Sequence, residues 1–309
     1  MTPSNPLRDD SGITHLDSTA HLMDRITSQL GTQLRLVSPD GRRRPDPRPT
    51  LVLVAHGSRD PRALATVTAL AERIRAQRPG LAVRLGHIEL NPPLLTATLD
   101  DLAAHAAAHA AHDAHAAHAV LVPLLLSRGQ HVKRDIPAAL DATPGLDARI
   151  AAPLGPHPLL AEALQDRLVR AGWPDRLLDA RARRRHAVVL AAAGSRDPES
   201  ATGTETAARL LADRLGVPVL PAYAAPTAAC PRTVPQALAT LAAQGRTHTA
   251  VAAYFTAPGR FAARSTAAAP WISTPPLGAH PALVRLVLHR YDQACETPAP
   301  ARPRRLTSV

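Results

Sequence analysis

The chain repeats itself. Residues 51–63 read "LVLVAHGSRDPRA" and residues 188–200 read "VVLAAAGSRDPES". Two more pairs follow in the same order. "HAVLVPLLLSRGQH" (118–131) is answered by "TAVAAYFTAPGRF" (249–261), and "APLGPHPLLAEALQDR" (152–167) by "PPLGAHPALVRLVLHR" (275–290). Three ordered matches mark an internal duplication, so the chain must fold as two units of one topology. Its 309 residues suffice for two domains of ordinary size.

Each copy alternates short apolar runs with longer amphipathic ones. "TLVLVAH", "LAVRLGHIEL", "HAVLVPLLL" and "DARIAAPLG" read as strands. "PRALATVTALAERIRAQRPG", "PPLLTATLDDLAAH" and "KRDIPAALDA" read as helices, the first closed by Pro-Gly. Strands and helices alternating at this spacing imply an α/β fold, a parallel sheet with helices on its faces. The expected organisation is a disordered tail over 1–49, a first domain over 50–172 and an Arg-rich linker over 173–186. A degenerate repeat follows over 187–294, then a second disordered tail over 295–309. Both tails are rich in proline and polar residues.

Composition narrows the function classes. The net charge is +11, and arginine carries nearly all the positive charge because Lys133 is the only lysine. A basic surface suits nucleic acid, anionic lipid or a small molecule with many carboxylates. Aromatic residues make up only 2% of the chain, and no nucleic-acid-binding module is visible. No nucleic-acid partner is expected. No run approaches the ~20 apolar residues of a membrane span, and no leader pattern opens the chain, so no membrane partner is expected either. Cys230 and Cys295 form no metal-type spacing, and so few cysteines suit a reducing cytoplasm.

In open parallel sheets, ligands bind beyond the carboxyl ends of the strands. His56 and Glu89 stand at two such ends, and His131 follows a third after "SRGQ". Two imidazoles and a carboxylate suit a divalent metal such as Fe²⁺ or Co²⁺. They equally form an acid/base set near neutral pH. The "GSRD" turn has a second reading, in which Ser58 or Asp60 caps the following helix. The duplication separates the two roles. Ala193 replaces His56, Phe261 replaces His131, and no glutamate stands near "PVLPAYAAP", where Glu89 would have its counterpart. "GSRD", Gly259 and the "LG-H-P" motif persist. What both copies keep serves the fold, and what one copy has lost is a candidate for a single active site.

The stretches "LVAHGSRDPRA", "GHIEL", "VLVPLLLSRGQHVKRDIP" and "APLGPHPLL" resemble the sirohydrochlorin chelatases of the CbiX/SirB type. The resemblance is strong over about residues 50 to 170 and weak in the second half. It implies the class II chelatase fold: two duplicated flavodoxin-like domains with the active site in the cleft between them. It implies insertion of Co²⁺ or Fe²⁺ into sirohydrochlorin, for sirohaem or cobalamin synthesis, with no cofactor beyond the substrate metal. By motif, His56 and His131 match the metal-site histidines and Glu89 the acidic residue after the second strand. For a tetrapyrrole with many carboxylates, Ser58, Arg59, Ser127, Arg128 and Gly129 are the expected substrate contacts. The second half would mimic a partner subunit, giving a monomer with pseudo-dimeric halves. The rival from another class is a non-catalytic metal-binding or delivery protein on the same scaffold. A further enzymatic alternative is iron insertion into a more decarboxylated tetrapyrrole.

"LAAHAAAHAAHDAHAAHAV" departs from the family by its length and its histidines. On a helix, His105, His109 and His112 share one face and form a possible accessory metal site. The alternative is a low-complexity expansion of Ala and His codons. If the tract gathers metal, replacing these three histidines with alanine should slow metal insertion only when metal is scarce. Equal rates at limiting metal would leave the tract without that role. A loss at saturating metal would place it inside the working site.

Overall fold

The computed structural model describes residues 48–109, 118–174 and 179–297. Most of the expected tails, residues 175–178 of the expected linker, and His112 lie outside these residues. The first copy forms β1 (Thr50–Ala55), β2 (Val83–His87), β3 (His118–Pro123) and β4 (Asp147–Ile150). They pair in parallel in the order β2-β1-β3-β4. The second copy forms β5 (His186–Ala192), β6 (Val219–Tyr223), β7 (His248–Ala253) and β8 (Ile272–Ser273), again parallel, in the order β6-β5-β7-β8. The helices are α1 (Pro61–Gln77), α2 (Leu95–His109), α3 (Ile136–Asp141), α4 (Pro158–Arg170), α5 (Ala180–Arg185), α6 (Pro198–Leu215), α7 (Val234–Ala243), α8 (Arg260–Thr266) and α9 (Pro281–Glu296). The duplicated flavodoxin-like architecture is the one that forms.

β1 shows why these runs are strands. Residues Leu51 to Ala55 are all buried, which an unbroken apolar run permits only when both sheet faces are covered. Val52 and Val54 pack under α2 and α3, against Leu95, Leu99, Ile136 and Leu140. Leu51, Leu53 and Ala55 face the other way, into a core that also holds Val188, Leu190 and Ala192 of β5. The inner faces of both sheets thus share one continuous core, filled by α1, α4, α6 and α9.

The last helix of each copy is exchanged. α4 follows β4 but packs on α6 and β7, while α9 follows β8 but packs on α1, α4 and β3. Polar contacts fix the exchange. Arg78 grips Asp292 with two hydrogen bonds of 2.5 and 2.8 Å. Arg149 of β4 donates to three carbonyls at the end of α9, those of Ala294, Cys295 and Thr297. The Tyr291 hydroxyl donates to the Pro49 carbonyl at 2.7 Å. The expected boundaries therefore separate two sheets but not two self-contained cores. The expected linker is also partly structured. Trp173 is buried, α5 forms behind an Asp179 cap, and β5 already starts at His186.

The shared motifs have structural explanations. Gly57 has φ +100°, and a Cβ there would lie 1.9 Å from the Glu89 carbonyl oxygen. Gly194 has φ +97°, with the Ala225 oxygen 2.1 Å from such a Cβ. Only glycine fits either turn. Asp60 and Asp197 then cap α1 and α6, accepting from the backbone N–H of Arg62 and Glu199. In the "LG-H-P" motif, His157 Nδ1 accepts from Leu159 N–H, and His280 Nδ1 accepts from Ala282 N–H, both at 3.1 Å. Both caps require an unprotonated Nδ1.

Burial holds the pKa of His157 and His280 below the usual 6.5, and the neighbouring Arg290 and Arg167 respectively act in the same direction. Nearby Asp166 opposes the shift of His280 without reversing it. The unfolded chain protonates these rings near pH 6.5 and the folded chain only at lower pH. The unfolded state then binds more protons, so stability should fall as pH drops below about 6.5. His280→Asn keeps a cap that does not titrate and should flatten the pH slope of the urea-unfolding free energy, at a cost below ~1 kcal/mol at pH 8. His87 and His248 are shifted down by burial too, so the slope should shrink without vanishing. An unchanged slope would refute the lowered pKa of His280.

Candidate active site

Strand order reverses between β1 and β3, and the crevice beyond their carboxyl ends is where such sheets bind ligands. His56 follows β1 directly. Glu89 sits two residues past β2, its N–H donating to the His56 carbonyl at 3.1 Å. His131 opens a π-helical turn, His131–Asp135, after the "SRGQ" loop. The structure brings the three side chains together. His56 Nδ1 lies 3.4 Å from Glu89 Oε1 and 3.2 Å from the Gly57 carbonyl. The rings of His56 and His131 meet edge to face with centroids 4.6 Å apart. His131 Nδ1 is 2.6 Å from Asp135 Oδ2.

These partners set the tautomers. A carbonyl or carboxylate can only accept, so each Nδ1 carries the proton. In the neutral ring Nε2 then offers its lone pair, the form in which imidazole binds a metal or takes up a proton. Glu89 here steadies His56 from the side. Among the described residues, no three His, Cys, Asp or Glu side chains already converge as a finished ion cage. The set is half-exposed, open to an incoming ion and to solvent.

The expected substrate contacts border this set. Ser58 N–H donates to Asn91 Oδ1 at 2.7 Å, and Ser58 Oγ accepts from Asp60 N–H at 3.1 Å. Ser58 thus shapes the turn. Arg59 and Arg128 are exposed. Ser127 Oγ accepts from Ser200 Oγ of the second half at 2.9 Å. The halves approach reciprocally here. A Cβ on Gly129 would lie 3.9 Å from Ser195 Oγ, and one on Gly259 would lie 3.7 Å from Ser58 Oγ. Lys133 crosses between them, reaching Asp197 Oδ2 at 2.6 Å and Glu199 Oε1 at 3.0 Å. His105 is exposed on α2, and His109 ends that helix.

Three site residues escaped the sequence reading. Asp135, which holds His131, had a readable signal in its i, i+4 spacing from the histidine. Asn91 and Lys133 act through contacts distant in sequence and left none. In the second half, Ala225 N–H donates to the Ala193 carbonyl at 2.9 Å, as Glu89 N–H does to His56. Ala225 is thus the counterpart of Glu89, and the turn keeps its form without any of the three side chains.

The fold and the crevice define a duplicated α/β protein that gathers two imidazoles and their carboxylate partners at the strand ends of its first half. The CbiX family profile matches residues 50–171 and 187–294, and the chain belongs to that family. It is 31% identical over 118 residues to a sirohydrochlorin cobaltochelatase of Sulfurisphaera tokodaii, covering 38% of this chain and 89% of the relative. A sirohydrochlorin cobaltochelatase of Methanococcus aeolicus is 34% identical over 90 residues, 29% of this chain. That match spans only 57% of the relative's length. Among solved structures, SirB from Bacillus subtilis with Fe³⁺ superposes with a TM-score of 0.63 at 22% identity, covering 81% of this chain and 96% of SirB. CbiX, described as the terminal enzyme of sirohaem biosynthesis in denitrifying bacteria, gives 0.55 at 19% identity, covering 79% of this chain and 99% of that one. Both share the fold.

The missing counterparts generate a prediction. The double variant Ala193→His with Phe261→His still lacks a carboxylate at position 225. With His105, His109 and His112 replaced by alanine, it should bind no more tight Co²⁺ equivalents in calorimetric titration than its parent. A second tight equivalent would show that the silent half needs only histidines.

Proposed function

We propose that the chain inserts a divalent metal, Co²⁺ or Fe²⁺, into sirohydrochlorin. The carrying observation is the pair His56 and His131, ring to ring, each with Nδ1 engaged and Nε2 available. Insertion exchanges two pyrrole protons for one doubly charged ion. The imidazoles serve both halves of that exchange, holding the ion first and accepting protons as nitrogen–metal bonds form. Glu89 offsets the charge of the ion and of a protonated His56. The exposed Arg59 and Arg128 suit the carboxylates of the macrocycle.

The relatives named above are cobaltochelatases, which favours Co²⁺, while iron has the same ligand preferences at such a site. No group beyond the substrate metal is required. The second half stands where a partner subunit would, so one chain is the working unit. We place the protein in the cytoplasm; no described helix is long and apolar enough to cross a membrane.

Anaerobic assay of the purified chain with sirohydrochlorin and each metal, followed by absorbance, tests this reading. His56→Ala or His131→Ala should lower the rate at least ~100-fold. Because both side chains are substantially exposed, unfolding free energy should change by no more than ~0.5 kcal/mol. Near-wild-type turnover in both variants would remove the assignment. Tight metal binding without any insertion would favour the metal-delivery alternative.

A further inference from the structure

The duplication leaves its two halves unequal beside the candidate site. A cavity of about 240 Å³ lies between them, lined by Ser127, Arg128 and Gly155 from the first half and by Glu199, Gly203 and Arg290 from the second. Sites that enclose whole small molecules measure ~300–1,000 Å³, so this one has room for part of a ligand. Its charge is positive. Arg128 is exposed, with no ion pair among the described residues. Arg290 is half-buried, and burial lowers its pKa with no carboxylate opposing. Among the described residues it reaches only its helix neighbour Gln293, Nη1 to Oε1 at 3.1 Å, and its buried Nε meets no partner there. Glu199 on the rim is already paired with Lys133.

The duplicated arginine is engaged differently. Arg167 is the counterpart of Arg290, and its Nε is also unpartnered, but its Nη2 donates to the Leu277 carbonyl at 2.8 Å. That guanidinium lies 3.1 Å from a Cβ built on Gly278, the counterpart of Gly155, with Thr66 in ordinary contact at 3.8 Å, whereas the atoms nearest a Cβ on Gly155 are Leu126 O and Tyr254 Oη at 2.4 Å and Leu160 Cδ1 at 3.1 Å, with no arginine among them. Thr66 stands where the open cavity has Gly203. Glycine inside a helix weakens it, and a Cβ at Gly203 would make only an ordinary contact, 3.7 Å from Pro156 Cδ. Folding does not require glycine there, whereas an open cavity benefits from it. The cavity shares a loop with the candidate site, since Arg128 lies three residues before His131.

We propose that this cavity is a subsite for one carboxylate arm of the tetrapyrrole, gripped by Arg290 and Arg128, and resting on the chelatase reading above. Seating an arm here fixes how the macrocycle presents its nitrogens to His56 and His131. Arg290 is then a specificity residue for an acidic tetrapyrrole.

The test is titration of metal-free sirohydrochlorin into the full-length protein, read by absorbance, alongside KM and kcat for insertion. Arg290→Met should weaken tetrapyrrole binding and raise KM about ten- to hundredfold, with kcat within about twofold. Gly203→Leu, which fills the cavity while keeping the arginine, should do the same. Arg167→Met should lower the melting temperature and leave KM unchanged. Wild-type affinity in a folded Arg290→Met, or a fall in kcat alone, overturns the subsite. If Arg290→Met fails to fold, Gly203→Leu decides by the same criteria. A wild-type chain that binds no sirohydrochlorin at all overturns the chelatase reading itself.

Discussion

The structure depends on one layer of helices that neither half could complete alone. The inner faces of both sheets are closed by α1, α4, α6 and α9, and α4 and α9 each cross to the other half. Apolar burial drives this closure but has no direction. Direction comes from polar contacts, among them Arg78 on Asp292 and Arg149 on the end of α9. With the layer fixed, the turn after each first strand meets the glycine loop of the opposite half, Ser58 against Gly259 and Ser195 against Gly129. The candidate site inherits its wall from that meeting.

The duplication acts as an internal control on which residues the fold needs. Gly57 and Gly194 persist because a Cβ would strike a carbonyl, and the aspartates of "GSRD" persist because they cap helices. His56, Glu89 and His131 have given way to Ala193, Ala225 and Phe261, yet the backbone hydrogen bond joining the two turns remains. Those side chains are therefore dispensable for folding. A cluster that folding does not require must be accounted for by what it binds.

Much of this was legible in the sequence. Strands such as "LVLVA" announce themselves by apolar runs too short for a helix, and the repeat reveals the topology. The three candidate residues were legible because strand ends are where open sheets bind ligands. The helix exchange was not, since the apolar stripe of α4 or α9 looks the same whichever sheet it covers. The Arg-rich segment read as a linker by composition, though Asp179 caps a short helix there. Asp135 had the right spacing, but its partnership with His131 depends on a π-helical turn that no local pattern announced. The inequality of Arg167 and Arg290 is invisible in sequence, because both are arginines at matching positions.

The exchange of α4 and α9 also bears on how the protein endures dilution. A chain carrying one copy could close such a core only by meeting a second chain, and its folded fraction would depend on protein concentration. Here the two copies are tethered, so each meets the other at an effective concentration set by the connecting chain, in the millimolar range for short flexible tethers. Scarcity of the protein then leaves the core, and the crevice it supports, intact.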